Sequence, residues 1–386
     1  MKVPFCRVVC AGNEARYVKE VLDSGWLTTA GKCFEFEKRF AAETGGKFCV
    51  AVNSATAALH LALEALGLGP GDEVLVPTLT FTATAEVVRY LGADPVFVDV
   101  EYGSGLITAP IIEKALQAHP KVKAVMVVHF AGQAADMSAI LAVCRPHGVR
   151  VVEDAAHAFP TRCAGRMIGS WGDITCFSFY ANKTITTGEG GMLVTDDEAL
   201  ARRARVMRLH GIDRDIWNRF TASRPSWEYD VVAPGFKYNL PDLAAAVGLA
   251  QLEQAHEFRR KRQAVAERYF KTLAGLPGVD LPLVHGPVED HSWHFFWLVL
   301  GPEARQNRDD FIAGLMERSI GFSVHYKPLH HMTYYRNRYQ LEAAQFPNAE
   351  RHWHGCVSLP LFPSMEDSEM EYVIEAVRKL LGQGGA

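Results

Sequence analysis

Apolar and polar positions alternate in blocks along the chain, and the block pattern changes twice. From Cys49 to about Asp196, short apolar runs of strand length take turns with segments of helical period. The strand runs are AVN ending at Asn53, EVLVP (73–77), PVFVDV (95–100), AVMVVHF (124–130), VRVVED (149–154), Ile174 to Phe179, and Met192 to Thr195. Between them, helices are predicted after Asn53, with Leu59, Leu63 and Leu66 on one face, and over Thr82–Tyr90, Pro110–Ala118 and Asp136–His147. This alternation predicts an α/β fold with a mostly parallel central sheet covered on both faces, and places ligands at the carboxyl ends of the strands.

The flanks read differently. Two short helical patterns, Glu14–Leu22 and Phe34–Ala42, surround the loop SGWLTTAG. After Asp196 come a helix to Leu209, an irregular aromatic region, and a long helical stretch from Pro241 to Leu273. Its first half, LAAAVGLAQL, is small and apolar nearly all round, so burial against another helix or a second subunit is expected. Beyond Gly275, strands at Phe295–Leu300 and Gly321–His325 mix with helices at Arg308–Arg318 and Asp367–Leu381. The expected organisation is an N-terminal arm and large domain over 1–255 and a small α+β domain over 256–386.

Composition narrows the function classes. With 386 residues, 48% hydrophobic and 22% charged, the chain can bury a sizeable core, and a net charge of −4 offers no footprint for nucleic acid. The apolar runs are too short to span a bilayer and the first residues lack the apolar stretch of a signal peptide, so a cytoplasmic protein is expected. Eight cysteines without a CxxC pair suggest neither a disulfide framework nor a metal site.

The candidate chemistry gathers at predicted strand ends. Lys183 lies in a polar turn between two buried-looking strands, a setting suited to a lysine that forms a Schiff base with pyridoxal phosphate and, taken alone, equally open to an ordinary surface lysine in a loop. Ser178 precedes it by five residues, and Gly188, Gly190 and Gly191 follow, expected to let backbone approach closely. Asn53-Ser54-Ala55-Thr56 stands where a strand passes into a helix, an anion site by geometry that simple capping by Ser54 would equally explain. Asp154 closes a central strand and is suited to holding a pyridinium nitrogen protonated. His157 could order that carboxylate, touch the cofactor or simply pack; Phe81 could stack on a flat ring or belong to the core.

In this order the motifs SGWLTT, NSATAALH, GPGDEVLVPTLTFTATA, HFAGQAADM, VEDAAHA, GSWGDITCFSFYANK, GEGGMLVT, RLHG and GFKYNLPDLAAA resemble the DegT/DnrJ/EryC1/StrS family, nucleotide-sugar aminotransferases of pyridoxal-phosphate fold type I. The resemblance covers nearly the whole chain. It implies pyridoxal 5'-phosphate bonded to Lys183, which also shuttles the proton, with Asp154 on the pyridinium and Ala55, Thr56 and Ser178 at the phosphate. It also implies Phe81 over the ring, His157 beside it, and a homodimer in which Lys237 or Asn239 completes the partner's phosphate site. Trp26, Thr28, His325, Tyr326 and His330 are the candidates for the sugar or diphosphate.

Within the family the chain looks most like the enzymes that make UDP-4-amino-4-deoxy-L-arabinose, through NSAT, EDAAHA, the insert at 211–239 and GFSVHYKPLH; SGWLTTAGK and the C-terminal region depart from that pattern. The implied reaction moves an amino group from L-glutamate to a UDP-linked 4-keto sugar. The alternatives are a dTDP- or GDP-linked 3- or 4-keto sugar, or a non-catalytic binder of the cofactor or of sugar nucleotides. A dehydratase of the same family would carry histidine in place of Lys183.

Overall fold

The computed structural model describes residues 1–213 and 229–382. Seven strands form the main sheet, in the order β1-β9-β8-β5-β4-β2-β3. They are β1 (Phe48–Val52), β2 (Glu73–Pro77), β3 (Asp94–Val98), β4 (Val122–Val128), β5 (Arg150–Asp154), β8 (Ile174–Ser178) and β9 (Gly191–Thr195). A small hairpin, β6 (Arg162–Cys163) and β7 (Arg166–Met167), lies between β5 and β8 in the chain. β9 runs antiparallel to both β1 and β8, whereas the pairs from β8 through β5, β4 and β2 to β3 are parallel. β1 therefore points the same way as β8, and the carboxyl ends of β1, β2, β4, β5 and β8 share one edge.

Both faces of this sheet are buried, which is why its strands read as apolar runs. In β4, Val125 and Val127 enter one core cluster while Ala124 and Met126 enter the other, as the period of two requires. Helices cover the two faces. The Ser54 side chain accepts from the Ala57 N–H and starts the helix Ala55–Ala65 immediately beyond β1.

The stretch 241–273 is two helices, Asp242–Leu252 and Ala255–Leu273, because the hydrogen-bond ladder breaks between them, where Gln254 N–H turns to Gln251 O three residues back. The apolar first helix is buried within its own chain, with Ala245, Ala246, Leu249 and Ala250 shielded and its flanks packed against the helices Glu14–Ser24 and Gly31–Thr44. Its own chain covers most of this surface, while Leu243, Ala244 and Val247 stay half-buried. Asp242 also reaches across to accept the backbone N–H groups of Ala30, Lys32 and Cys33, capping the helix Gly31–Thr44 from a distance of 200 and more residues in sequence.

The remaining strands, β10 (Val279–Asp280), β11 (Phe296–Leu300) and β12 (Cys356–Leu359), make a second antiparallel sheet. Residues 321–325, expected as a strand, join it only through a bridge between Ser323 and Ser358, because the segment turns away into the cavity described below. Two helices with no sequence expectation, Thr333–Tyr339 and Pro347–Gly355, carry the chain from there to β12. No helix among the described residues is long and apolar enough to cross a membrane.

Candidate active site

The shared edge of strand ends opens into a cavity of about 530 Å³, lined by Ser54, Ala55 and Thr56 after β1, by Thr80 and Phe81 after β2, and by Asp154, Ala156 and His157 after β5. Ser178, Tyr180, Asn182 and Lys183 line it from the segment after β8, and His325 and Tyr326 close it from the C-terminal part of the chain. Strands of one direction deliver side chains to one place.

The loop carrying Lys183 is folded back on itself. Phe179 N–H donates to Gly190 O at 2.9 Å and Thr187 N–H to Phe179 O at 3.0 Å, so the ends of the segment are tied together, while Lys183 N–H closes a turn onto Tyr180 O. Gly191 has the close approach expected: a Cβ there would lie 2.5 Å from the Ser54 carbonyl. Only glycine lets β9 begin against the helix start. Gly188 differs from that expectation, with open space around it and φ at +81°, a conformation that side chains disfavour. Gly190 has Thr187 Oγ1 at 2.2 Å from such a Cβ.

Burial lowers the Lys183 ammonium to about 8 from its ordinary 10.5, against the opposing attraction of Asp154. Burial likewise raises Asp154, opposed by the Thr84 hydroxyl, the Ala156 N–H and the charge of Lys183. Thr84 Oγ1 donates to Asp154 Oδ2 at 2.8 Å and Ala156 N–H to Oδ1 at 3.1 Å; Thr80 Oγ1 lies 2.8 Å from Thr84 Oγ1. The side chain that orders Asp154 is therefore Thr84, three residues past Phe81 in TLTFTATAE, and not His157.

His157 instead faces Tyr326, whose hydroxyl lies 3.1 Å from Nε2. Its ring stacks on His294 at 4.5 Å and 24°, and burial holds both histidines neutral, well below their ordinary values. His325 stacks on Phe295 at 4.1 Å, with Nδ1 2.7 Å from Ser358 Oγ, and its pKa is lowered to about 3. His294 carried no signal in the sequence; an isolated histidine before an apolar run looks like core.

The helix start completes the set. The first helical bond runs from Ala58 N–H to Ser54 O, so the N–H groups of Ala55 and Thr56 precede the helical ladder and stand at the cavity. Phe81 lines the cavity with 57% of its surface exposed, and Ser178 Oγ accepts from Tyr180 N–H at 3.3 Å.

Other expected residues lie elsewhere. Lys237 is exposed; Asn239 donates from its amide to Thr29 Oγ1 at 2.7 Å; neither lines the cavity of its own chain. Trp26 and Thr28 sit in the loop between the first two helices, outside the cavity. His330 is also outside, buried against Thr78 and Glu350, because the turn at 329–331 swings it away from the ligand side. Much of the expected ligand-binding insert, residues 214–228, lies outside the described residues.

A family model described as the DegT/DnrJ/EryC1/StrS aminotransferase family matches residues 10–378. The chain belongs to this family. It is 46% identical over 381 residues to the spore coat polysaccharide biosynthesis protein SpsC of Bacillus subtilis, covering 98% of this chain and 97% of that one. Among solved structures it resembles the PLP-form of the putative sugar aminotransferase Spr1654 from Streptococcus pneumoniae, with TM-score 0.90, 31% identity, and coverage of 99% and 100% of the two chains. S. venezuelae DesV in complex with a ketimine intermediate matches at TM-score 0.89 and 34% identity over 100% of both chains.

As a member of this family the protein is an aminotransferase with the fold type I architecture, and its cofactor is pyridoxal 5'-phosphate. The cavity fits that group on its own terms. It holds a buried lysine of lowered pKa, a buried carboxylate with an anchored orientation, and unpaired helix-start N–H groups for an anion.

Proposed function

We propose that the enzyme transfers an amino group from L-glutamate to the keto carbon of a nucleotide-linked sugar, with a 4-keto sugar on UDP as the acceptor. The observation that carries the reading is the placement of Lys183 and Asp154 in one cavity with an anion-binding helix start, in a chain whose relatives include a polysaccharide biosynthesis protein and a putative sugar aminotransferase.

Pyridoxal phosphate, when bound, supplies the electron sink for the carbanion formed at the amino-acid or sugar carbon. The residues supply the rest. Asp154, fixed by Thr84 and Ala156, holds the ring-nitrogen proton. Lys183 would hold the cofactor through its amine, and the same amine is placed to take and return the proton at the reacting carbon. Burial favours the neutral form of this amine, the form a general base needs. Ala55, Thr56 and Ser178 would hold the phosphate, Phe81 would cover the ring, and His157, kept neutral and paired with Tyr326, would flank it. His325 and Tyr326 form the wall toward the sugar.

The enzyme acts as a homodimer in this reading, with Lys237 or Asn239 reaching the phosphate site of the second subunit. Support comes from their position outside their own cavity and from the exposure of Phe81 and Tyr180 at its mouth.

The test is direct. Borohydride reduction of the yellow enzyme followed by peptide mapping should place the reduced cofactor on Lys183, and L-glutamate with a UDP-4-keto sugar should give a UDP-amino sugar. Reaction with dTDP- or GDP-linked sugars alone would correct the carrier, and turnover confined to small keto acids would overturn the sugar assignment.

A further inference from the structure

His330, His331 and Glu350 form a second cluster of potential ligands, away from the cavity that holds Lys183. His330 Nε2 lies 2.5 Å from Glu350 Oε1, His331 Nε2 contacts the same oxygen, and His354 Nε2 lies 3.2 Å from Glu350 Oε2. One carboxylate thus faces three imidazoles from two segments of chain. We propose that this cluster is a binding site for a divalent transition metal of zinc-like chemistry, with His330, His331 and Glu350 as ligands.

The donor set favours such an ion. Two imidazole nitrogens and a carboxylate leave one position for water, a set that zinc accepts, whereas calcium and magnesium prefer all-oxygen shells. The donor atoms lie within 4.8 Å of one another. A tetrahedral ion with bonds of about 2.0–2.1 Å sets its ligands about 3.4 Å apart. Modest side-chain rotation would open the present contacts to that spacing.

The surroundings orient the ligands. His330 Nδ1 lies 2.7 Å from Thr78 Oγ1, so an Nδ1–H donated to this hydroxyl leaves the Nε2 lone pair for the metal. Its ring stacks on Phe346 at 4.4 Å and 12° and is shielded from water. Glu350 is carried by the helix Pro347–Gly355, whose start is held by Asp99 through the N–H groups of Asn348 and Ala349. His331 is accessible enough at 27% of its side-chain surface to admit an ion from solvent.

The position gives the metal a role. His330 follows Tyr326 by four residues, and His352, on the same helix as Glu350, donates from Nε2 to His325 O at 2.8 Å. A bound ion would fasten the segment bearing His325 and Tyr326 to this helix, clamping one wall of the active site without touching the reacting atoms.

The experiment uses untagged enzyme loaded with pyridoxal phosphate, treated with chelator and titrated with Zn²⁺ by calorimetry and with Co²⁺ by absorbance between 500 and 700 nm, away from the cofactor band. One equivalent of Zn²⁺ per chain and intense d–d bands of low-coordinate cobalt are expected. His331→Ala and Glu350→Gln should each weaken binding roughly tenfold or more and abolish those bands, with the cofactor absorbance serving as the check that each variant is folded. Absence of stoichiometric Zn²⁺ binding to the parent enzyme overturns the proposal. So does binding with unchanged affinity in folded His331→Ala, which is the variant less prone to disturb packing.

Discussion

The two walls of the active-site cavity are built from different materials. The strand-end wall presents ionisable groups, Asp154 and Lys183, on short tethers from β5 and the loop after β8, and a helix start that offers N–H groups. The opposite wall, from His325 and Tyr326, is aromatic; with His157, and His294 stacked behind it, it is held uncharged by burial. The imidazoles of His157, His294 and His325, kept neutral by burial, add no positive charge beside Lys183 and Asp154. Variants on the first wall should therefore act on reaction rate, and variants on the second on geometry.

The largest effect is expected from Lys183→Ala, which removes both the attachment point and the base. The half-reaction with L-glutamate should slow by roughly 10⁴-fold or more, measured by stopped-flow absorbance on enzyme reconstituted with cofactor. A loss of only tenfold would show that another group moves the proton.

Asp154→Asn comes next. Asparagine keeps the size and can accept from Thr84, but it cannot stabilise a positive ring nitrogen. An ion pair at roughly 4 Å with an effective dielectric near 20 is worth about 4 kcal/mol, or roughly three decades in rate. The variant should retain its cofactor while the half-reaction slows to that extent; rates within a few-fold of the parent would reduce Asp154 to a structural role.

The same wall makes a prediction about stability. Lys183 titrates near 8 in the folded protein and near 10.5 when exposed, so below pH 8 folding must strain against a buried ammonium, and above 10.5 this cost is gone. In the cofactor-free enzyme, Lys183→Met should be more stable than the parent at pH 7 by up to about 3 kcal/mol, with the gap narrowing as pH rises from 8 to 10.5. Urea unfolding across that range would measure it. A gap independent of pH would mean that the lysine is solvated in the cofactor-free state.

On the neutral wall the effects should be smaller. Tyr326→Phe removes the hydroxyl that meets His157 Nε2 and leaves the imidazole short of one partner, at a cost of about 1–2 kcal/mol. A KM increase of several-fold for the sugar acceptor is expected, with the L-glutamate half-reaction nearly unchanged. Equal losses in both half-reactions would show that the hydroxyl takes part in a step common to them.

Much of the first wall was legible in the sequence, for a physical reason. In a parallel sheet, an apolar run ending in a polar residue both marks a strand and puts that residue at the ligand edge, so Asp154, Ser178 and the Ser54–Thr56 helix start followed from local pattern. Lys183 stood in a polar turn that by itself fits a surface lysine, and the ordered set of motifs around it singled it out. The second wall had no such rule. His325 and Tyr326 were named from resemblance, and the neighbouring His330, three residues before an unforeseen helix, was placed with them although it turns toward Thr78 and Glu350. His294 and Thr84 acquire their parts only from what the fold brings against them, His157 and Asp154.

The sequence by itself determined the sheet, its ligand edge and the residue types that meet there, because strand period and strand ends are local properties of the chain. Only the tertiary structure decided which histidines face the cavity, that the apolar helix after Pro241 packs against the first two helices of its own chain, and that Asp242 caps a helix more than 200 residues earlier. These depend on side-chain directions and on contacts between segments far apart in sequence, and neither is written in any local pattern.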